Sequence, residues 1–395
     1  MPDLLIYGAT GYTGRLASFR AKEIGLSFCI GGRTESKLKI LAETLGVAYY
    51  VFGFDNTTNS NDNNNRLKVD ALLSQQNIRI LLNCAGPFIH TAAALADACI
   101  RSENGGVHYL DVSAEIETYK MLQMEERYRA AIEKGVMLLP GCGGSVAMLG
   151  CLVGGVVEGY RDECEKENGD VNMGNGIISA IEVALRISGP VSRGTATTMA
   201  LSSGSSSAAL RRVDGKLVEF EQATTATTTQ FDFDNGEGPV PCFPVTLPDL
   251  VTIFRCSGVG NIATFAHIAS PNDPNAISGS PTSTSGSGSS SATTSPSAAE
   301  LPTDGDDGPT AEERRLNPYH AAVKLLNKDG AVVREAALHS VNGYTFTYLA
   351  SVEAARRILA GELEREGLKG FRTPVEIFGS AFIEAVAGSW VRNLI

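Results

Sequence analysis

Three glycines near the amino terminus have a spacing that suits a phosphate-binding turn. The run Gly8-Ala9-Thr10-Gly11-Tyr12-Thr13-Gly14 follows a short apolar segment and precedes a helical pattern. Glycine lets the backbone turn tightly and approach a pyrophosphate, and a helix start offers N–H groups and a positive dipole end. The spacing is GxxGxxG rather than GxGxxG, so a chance turn is the alternative. The position favours a dinucleotide site whose predicted binding residues are Gly8, Thr10, Gly11, Tyr12, Thr13 and Gly14.

An arginine after the second predicted strand indicates which dinucleotide binds. Arg33 lies 19 positions after Gly14. An acidic residue there would bind a ribose 2′-OH, whereas an arginine accommodates a 2′-phosphate. Arg33, with Ser36 beside it, therefore predicts NADP in preference to NAD. A solvated arginine at the start of a helix is the alternative, and the neighbouring Glu35 weighs toward NAD.

Two further predicted strand ends face the same crevice, because open α/β sheets bind ligands at the carboxyl ends of their strands. Asp55 follows the third strand and is predicted to meet the adenine side. Cys84-Ala85-Gly86-Pro87 follows the fourth strand, where the nicotinamide ribose is expected to pass. For Cys84 the alternative is a small buried packing residue.

The fifth predicted strand carries the candidate catalytic residues. Hydride transfer requires that the acceptor be held against the nicotinamide and that a proton donor be available. Strand alternation puts Tyr109, Asp111 and Ser113 on one face. We predict that Tyr109 or Ser113 donates the proton and that Asp111 or Glu115 orients the donor. The alternative is that Asp111 and Ser113 cap a helix near Glu117.

A later arginine is a candidate for substrate binding. Arg193 precedes Gly194-Thr195 at the start of a short helix predicted over Thr195–Ser203. Such a place suits a carboxylate, phosphate or thioester oxygen, so Arg193 and Thr195 are predicted to bind substrate. A structural salt bridge is the alternative for Arg193.

These residues need a scaffold, and the first 139 residues supply the pattern of one. Short apolar runs alternate with helical patterns, which predicts a doubly wound parallel sheet of the Rossmann type. One long helix is predicted over Glu117–Lys134. The uncharged stretch Gly135–Val157 is long enough to span a bilayer. Its seven glycines and Pro140 favour instead a buried strand, a glycine-rich loop and a buried helix.

The pattern after Gly159 loses this regular alternation and predicts a second, α+β domain. Its predicted strands include Ile177–Ile187, Lys216–Phe220, Leu250–Phe254, Val332–Ala337 and Tyr344–Ala350, and its predicted helices are Val352–Glu366 and Pro374–Ala387. The Ser-rich stretch Ser278–Ser297 predicts a disordered insertion. The predicted domains are 1–145 for NAD(P), 146–270 with 317–395 for substrate, and 271–316 for the insertion.

Composition narrows the function classes. The chain has 395 residues and a net charge of −11, which argues against nucleic-acid partners because they require a positive surface. Eight cysteines without a CxxC pair argue against a disulfide scaffold or a zinc site, so no metal is predicted. The start of the sequence does not resemble a signal peptide. We expect a cytoplasmic protein; peripheral membrane or lipid-droplet association is the less favoured alternative.

Several segments resemble one family. GATGYTGR, GGRTESKL, LLNCAGPF and VHYLDVSAE, followed by SRGTA at 192–196, are similar to the saccharopine-dehydrogenase-like oxidoreductases, which include trans-acting enoyl reductases. The resemblance implies an NAD(P)-binding domain and a second α/β domain that carries the substrate. One segment departs from the family pattern, because two positions that are acidic in relatives are Ser145 and Gly150 here.

The resemblance predicts an NADPH-dependent oxidoreductase that reduces an activated C=C (enoyl or acyl type) or C=N bond. The expected partner is a small-molecule or carrier-bound acyl substrate, and a homodimer is the expected assembly. The two changed positions keep an alternative open, an NADP-binding regulatory protein without turnover. A lipid-surface protein is the third hypothesis.

Overall fold

A parallel sheet forms the first half of the fold. The computed structural model describes residues 2–54, 61–75, 77–103, 105–168, 178–197, 208–221, 228–269, 308–362 and 369–395. The first six strands stand in the order β3-β2-β1-β4-β5-β6, the order of a dinucleotide-binding sheet. They are β1 (Leu4–Tyr7), β2 (Phe28–Gly32), β3 (Tyr49–Val51), β4 (Ile80–Asn83), β5 (His108–Asp111) and β6 (Met137–Leu139).

Helices follow these strands as the alternation predicted. They are α1 (Tyr12–Glu23), α2 (Glu35–Leu45), α3 (Asn61–Gln75), α4 (Phe88–Arg101), α5 (Ile116–Leu122), α6 (Glu125–Lys134) and α7 (Gly144–Asn168). The prediction of one helix over Glu117–Lys134 is wrong, because Met124 has an extended backbone (φ −53°, ψ 133°). The Arg127 guanidinium donates a hydrogen bond to the Met121 carbonyl, so it satisfies the end of α5.

A second, mixed sheet of nine strands follows, and its main path runs β10-β11-β12-β7-β13-β14 and then the last strand of the chain. Its strands are β7 (Ala180–Ile187), β8 (Ala208–Val213), β9 (Lys216–Glu221), β10 (Thr229–Phe231), β11 (Val240–Pro244), β12 (Ile262–Ile268), β13 (Tyr319–Leu326), β14 (Val332–Ser340) and β16 (Trp390–Asn393). The short strand β15 (Gly370–Phe371) returns to the first sheet and pairs in parallel with β6. The fold class predicted from the sequence is confirmed, whereas the domain boundaries stay a prediction.

The remaining helices correct three of the expectations. They are α8 (Asp249–Ser257), α9 (Ala311–Leu316), α10 (Gly343–Ala360), α11 (Pro374–Phe378) and a 3₁₀ helix (Ser380–Ala385). The predicted strands Leu250–Phe254 and Tyr344–Ala350 are wrong, because both lie in helices that end at a glycine with positive φ. The helix predicted over Pro374–Ala387 breaks at Gly379 (φ 74°).

The predicted insertion also needs a correction at its end. Residues 311–316, assigned to the insertion, form α9, whose Thr310 and Glu313 make a capping box. Ser278–Ser297 lies outside the described residues.

One apolar core joins the two sheets. Helix α7 supplies Leu149 and Leu152 to a cluster that also contains Ile6 of β1, Val183 of β7 and Val323 of β13. The predicted strand, glycine loop and buried helix over Gly135–Val157 are therefore confirmed. In the described parts of the chain, no helix combines the length and the apolar character needed to cross a membrane.

The first residue of α8 is a buried acid. Asp249 is completely buried, and neither carboxylate oxygen has a hydrogen-bond partner among the described residues. Burial raises the pKa of the Asp249 carboxyl to about 7. The unfolded chain ionises this group near pH 4, so the free energy of unfolding falls as pH rises from about 4 to about 7, and above that the destabilisation by Asp249 is constant.

Replacing Asp249 with Asn should therefore stabilise the protein more at high pH than at low pH. We expect the gain in unfolding free energy to be roughly 2 kcal/mol larger at about pH 8 than at about pH 5.5. Urea denaturation at the two pH values measures it, with Asp329→Asn as the control because Asp329 is exposed. An equal gain in unfolding free energy at both pH values would show that the pKa of the Asp249 carboxyl is not raised in the folded protein.

Candidate active site

The glycine-rich turn has no room for side chains. Gly8 has a φ of +76°, and a Cβ there would lie 2.8 Å from the Ala85 nitrogen. A Cβ on Gly14 would lie 2.2 Å from the Gly8 carbonyl oxygen, so this glycine lets α1 pack directly on the end of β1. The Gly11 nitrogen donates to the Gly8 oxygen at 3.0 Å and closes the turn. These are the roles that a dinucleotide-binding turn gives its three glycines.

The N-terminus of α1 remains available to an anion. Gly11 is the N-cap residue, and within the described chain no side chain caps the helix. The first N–H groups of a helix have no partner in the helix itself, and its dipole favours a negative charge there. Thr10 and Thr13 flank this end of the helix as predicted. This helix end therefore offers the N–H donors and the partial positive charge that a pyrophosphate needs.

The neighbouring helix α4 is capped from within the protein, which distinguishes it from α1. The Glu115 carboxylate accepts hydrogen bonds from the Phe88 nitrogen at 3.0 Å and the Ile89 nitrogen at 2.9 Å. Sequence reasoning considered Glu115 only as an orienting group for a proton donor. In the structure the Glu115 carboxylate caps α4, whose first two residues precede it by 27 and 26 positions in the sequence. No local sequence pattern signals a contact at that separation.

Arg33 directly follows β2, the position at which an arginine in this kind of sheet accommodates a 2′-phosphate, and its role in binding stays a prediction. It is exposed directly after β2, together with Ser36 in the first turn of α2. A Cβ on Gly53 would lie 2.5 Å from the Arg33 Cγ, so Gly53, which follows β3, makes room for the arginine stem. Asp55, predicted to meet the adenine side, lies outside the described residues.

The turn after β4 is held rigidly beside Gly8. The Asn83 Oδ1 accepts a hydrogen bond from the Ala85 nitrogen at 2.9 Å, and the Thr91 hydroxyl donates to the Ala85 carbonyl at 2.8 Å. The Gly86–Pro87 peptide that follows is cis. Burial raises the pKa of the Cys84 thiol to about 12, so this group stays neutral at ordinary pH. The geometry favours the packing interpretation for Cys84.

The three predicted catalytic residues form one buried network. The Asp111 Oδ2 accepts from the Tyr109 hydroxyl at 2.8 Å, and Oδ1 accepts from the Ser113 hydroxyl at 2.7 Å. Oδ1 also accepts from the Gly141 nitrogen at 2.9 Å, so Asp111 ties the end of β5 to the loop after β6. Asn83 donates to the Tyr109 oxygen at 3.1 Å.

This network lies beneath the crevice floor. Tyr109 and Asp111 are completely buried and Ser113 nearly so. Burial raises the pKa of Tyr109 far above its usual range, and the Asp111 charge adds to this effect. The capping alternative for Asp111 and Ser113 is wrong, because Glu115 is the N-cap residue of α5 and Asp111 binds the Ser113 and Gly141 N–H groups. A catalytic role for the three residues stays a prediction; their contacts show a positioning role.

The second wall of the crevice comes from the start of α10. The Tyr344 hydroxyl accepts from the Ser192 nitrogen at 2.6 Å and donates to the Thr195 hydroxyl at 2.8 Å. The Tyr344 ring packs edge-on against the Tyr12 ring, with centroids 5.2 Å apart. The structure thus brings the predicted substrate residue Thr195 close to the glycine turn.

Arg193 is exposed in the helical turn at 193–197 beside Thr195, and residues 198–203 of the helix predicted over Thr195–Ser203 lie outside the described chain. Tyr344 itself was missed as a site residue because its segment was interpreted as a strand. The signal that could have identified it is Asn342, whose side chain caps α10 by accepting from the Tyr344 nitrogen at 3.1 Å.

The two positions that depart from the family pattern differ in their surroundings. A Cβ on Gly150 would face Val375 of α11 at 3.7 Å, so this position packs helix against helix. Ser145 is half-buried at the start of α7. Among the described residues, no group of three His, Cys, Asp or Glu side chains is arranged to hold a metal ion.

Comparisons with known proteins agree with this geometry. Residues 4–139 match the family model described as the saccharopine dehydrogenase NADP binding domain. The whole chain superimposes on saccharopine dehydrogenase (L-Glu forming) of Saccharomyces cerevisiae with a TM-score of 0.60, 9% identity and 100% coverage of both chains. That likeness shows the fold. No curated protein sequence gives a significant match.

Other solved structures share only part of the fold. A short-chain dehydrogenase from Sphingobium yanoikuyae, in complex with NADPH, covers 35% of this chain and 71% of its own, with 19% identity and a TM-score of 0.26. Serine dehydrogenase from Escherichia coli covers 35% of this chain and 80% of its own, with 17% identity and the same TM-score. The predicted resemblance and NADP as cofactor are confirmed by the family model over residues 4–139, and the full-length likeness confirms the fold.

Removing the Tyr109 hydroxyl should test the positioning role. Tyr109→Phe leaves the Asp111 Oδ2 and one Asn83 N–H without their buried partner, so we expect a loss of about 1 to 3 kcal/mol of unfolding free energy. Chemical denaturation measures it, and NADPH titration should give an affinity within about two-fold of wild type. Tyr128→Phe is the control, since the Tyr128 hydroxyl makes no hydrogen bond within the described chain. Unchanged stability with loss of turnover would instead identify Tyr109 as a proton donor.

Proposed function

From the NADP-binding, saccharopine-dehydrogenase-like fold of this chain, we propose that it is an NADPH-dependent reductase. Its substrate has an activated C=C bond of the enoyl or acyl type, or a C=N bond. When bound, NADPH supplies the hydride. The residues of the chain bind the dinucleotide, exclude water and hold the acceptor.

The observation that carries the proposal is the combination of the uncapped α1 and the exposed Arg33. The two features stand at successive strand ends of one sheet, at the first and second strand-to-helix turns. A dinucleotide with a 2′-phosphate needs positive charge at both places, and its pyrophosphate needs N–H donors at the first. In a chain with a net charge of −11, such local positive sites decide where an anionic cofactor binds.

The proposed substrate class is supported by the polar side chains on the side of the crevice that Tyr344 and residues 192–195 form. Thr195 is half-buried there and Arg193 is exposed beside it, on the side of the crevice that meets Tyr12 through Tyr344. Hydroxyl and guanidinium groups donate hydrogen bonds to a thioester carbonyl or to a carboxylate. Such donors withdraw electrons from a conjugated C=C bond or hold an imine that carries a carboxylate. A carrier-bound acyl thioester and a small imino acid are therefore the two acceptors that we propose.

A second candidate function is NADP binding without turnover, and one observation favours it. The hydroxyls of Tyr109 and Ser113, predicted as proton donors, point into the protein and are bonded to Asp111. In this case the crevice would serve as a nucleotide sensor.

A substrate screen separates these functions. Purified protein is incubated with NADPH and either enoyl thioesters or imines formed from an amino acid and an aldehyde. We expect NADPH absorbance to fall with one class, together with a product two hydrogens heavier by mass spectrometry. Tight NADPH binding without turnover of either class supports the sensor. Failure to bind NADPH would overturn both functions.

Arg33 provides the test of cofactor choice. Arg33→Ser should raise the Kd of NADPH roughly ten-fold or more, because a charge-assisted bond to the 2′-phosphate is lost. The Kd of NADH should change less than about two-fold, because NADH lacks that phosphate. Fluorescence titration measures both, with Lys39→Ser, an exposed cation of α2, as the control. An equal loss for NADH and NADPH would show that Arg33 does not recognise the 2′-phosphate.

A further inference from the structure

A segment from the second half of the chain lies on the glycine-rich turn. Residues 308–316, which we term the strap, run against Tyr12. A Cβ on Gly308 would lie 2.8 Å from the Tyr12 Cδ2, so the strap backbone contacts the face of this ring. The Tyr12 hydroxyl donates to the Pro309 carbonyl at 2.5 Å. Only 7% of the Tyr12 surface is exposed, although this residue begins a helix at the crevice.

A cation of the strap is fixed at the same place. The Arg314 Nη1 donates to the Tyr12 hydroxyl at 2.6 Å and to the Pro309 carbonyl at 3.0 Å. The Arg314 guanidinium carbon lies 5.9 Å from the centroid of the Tyr12 ring. Both hydrogen bonds are donated by Nη1, so Nε and Nη2 are not used to hold Tyr12.

The strap is built to present this arginine. The Thr310 hydroxyl accepts from the Glu313 nitrogen at 3.2 Å, and the Glu313 carboxylate accepts from the Thr310 nitrogen at 2.7 Å. This capping box starts α9 immediately after Pro309 and places Arg314 on its first full turn. The other arginine of the helix, Arg315, pairs with Glu312 at 2.6 Å and is exposed.

The position of Tyr12 relates the strap to the cofactor. Tyr12 is the first residue of α1, directly after the N-cap Gly11. The Arg314 guanidinium is therefore separated from the N-terminus of α1, the predicted pyrophosphate site, only by the Tyr12 side chain. A pyrophosphate carries two negative charges, whereas a helix N-terminus supplies about half a positive charge. An arginine at this distance would supply the rest.

We propose that Arg314 is a cofactor-binding residue that neutralises the pyrophosphate of the bound dinucleotide. The inference rests on the proposed function, since it requires that the glycine turn bind a dinucleotide. It assigns the two phosphate sites to two arginines, with Arg33 on the 2′-phosphate and Arg314 on the pyrophosphate. Cofactor affinity then depends on a segment that enters the second sheet at Tyr319, far along the chain from the NADP-binding domain.

Affinities for two cofactors separate the roles of the arginines. The Kd values of NADPH and NADH are measured by fluorescence titration for the wild type and Arg314→Gln. Both cofactors contain the pyrophosphate, so we expect both Kd values to rise by a similar factor, roughly ten-fold or more. Arg315→Gln is the matched control, one residue further along the same helix, and should leave both values unchanged. Tyr12→Phe, which removes the hydroxyl that holds Arg314, should weaken both cofactors in the same direction.

Other outcomes overturn the proposal. Unchanged affinities in Arg314→Gln would show that Arg314 only anchors the strap, and tighter binding would show that the strap blocks the site. A loss of affinity for NADPH alone would place Arg314 at the 2′-phosphate instead. In each of these cases the wild type still binds NADPH and the proposed function stands. A wild type that binds neither dinucleotide would refute the proposed function as well. Thermal melting without cofactor establishes that each variant is folded.

Discussion

The packing of two helices between the sheets fixes everything else in this molecule. Helix α7 packs on β7, β13 and β14 of the second sheet, and α10 packs on α1 and β4 of the first sheet and on α7. The contacts of α7 are close: a Cβ on Gly143, just before this helix, would lie 2.7 Å from the Thr347 carbonyl oxygen of α10, and one on Gly154 would lie 2.7 Å from the Val375 Cγ2 of α11. Because interiors are packed as densely as organic crystals, these contacts leave little freedom for the second sheet to move relative to the first. The crevice walls are thus set by apolar packing rather than by the polar groups that line them.

Polar contacts then set the details of the crevice. The Asp111 carboxylate accepts four hydrogen bonds, and the one from the Gly141 nitrogen ties β5 to the loop after β6. The Asn83 Oδ1 accepts from the Ala85 nitrogen in the turn after β4. Buried networks of this kind are rigid because every member would be costly to leave unpaired. The floor of the crevice is consequently a fixed surface.

The sequence predicts the parts of this arrangement that are local. GxxGxxG between an apolar run and a helical pattern identified the turn, and strand–helix alternation identified the sheet. The segment that begins at Tyr344 was predicted to be a strand because a short apolar run fits a strand and a buried helix equally well. The Asp111 contact to Gly141 crosses 30 residues and the Arg314 contact to Tyr12 crosses 302, so neither leaves a periodic trace. The catalytic role that the sequence suggests for Tyr109, Asp111 and Ser113 stays a prediction, and their burial was decided by tertiary packing, which no local pattern shows.

The return of Gly370–Phe371 to pair with β6 has a consequence for how the protein is made. A ribosome releases the chain from the amino terminus, and domains usually fold as they emerge. Here the edge of β6 is exposed until more than 230 further residues have been synthesised, and α7 and α10 must also arrive to cover the sheet. The nucleotide-binding half should therefore mature late, after the strands and helices of the second sheet have been synthesised. A fragment cut at the end of the matched family region would carry a bare strand edge and an uncovered apolar face, which are the features that draw chains into aggregates.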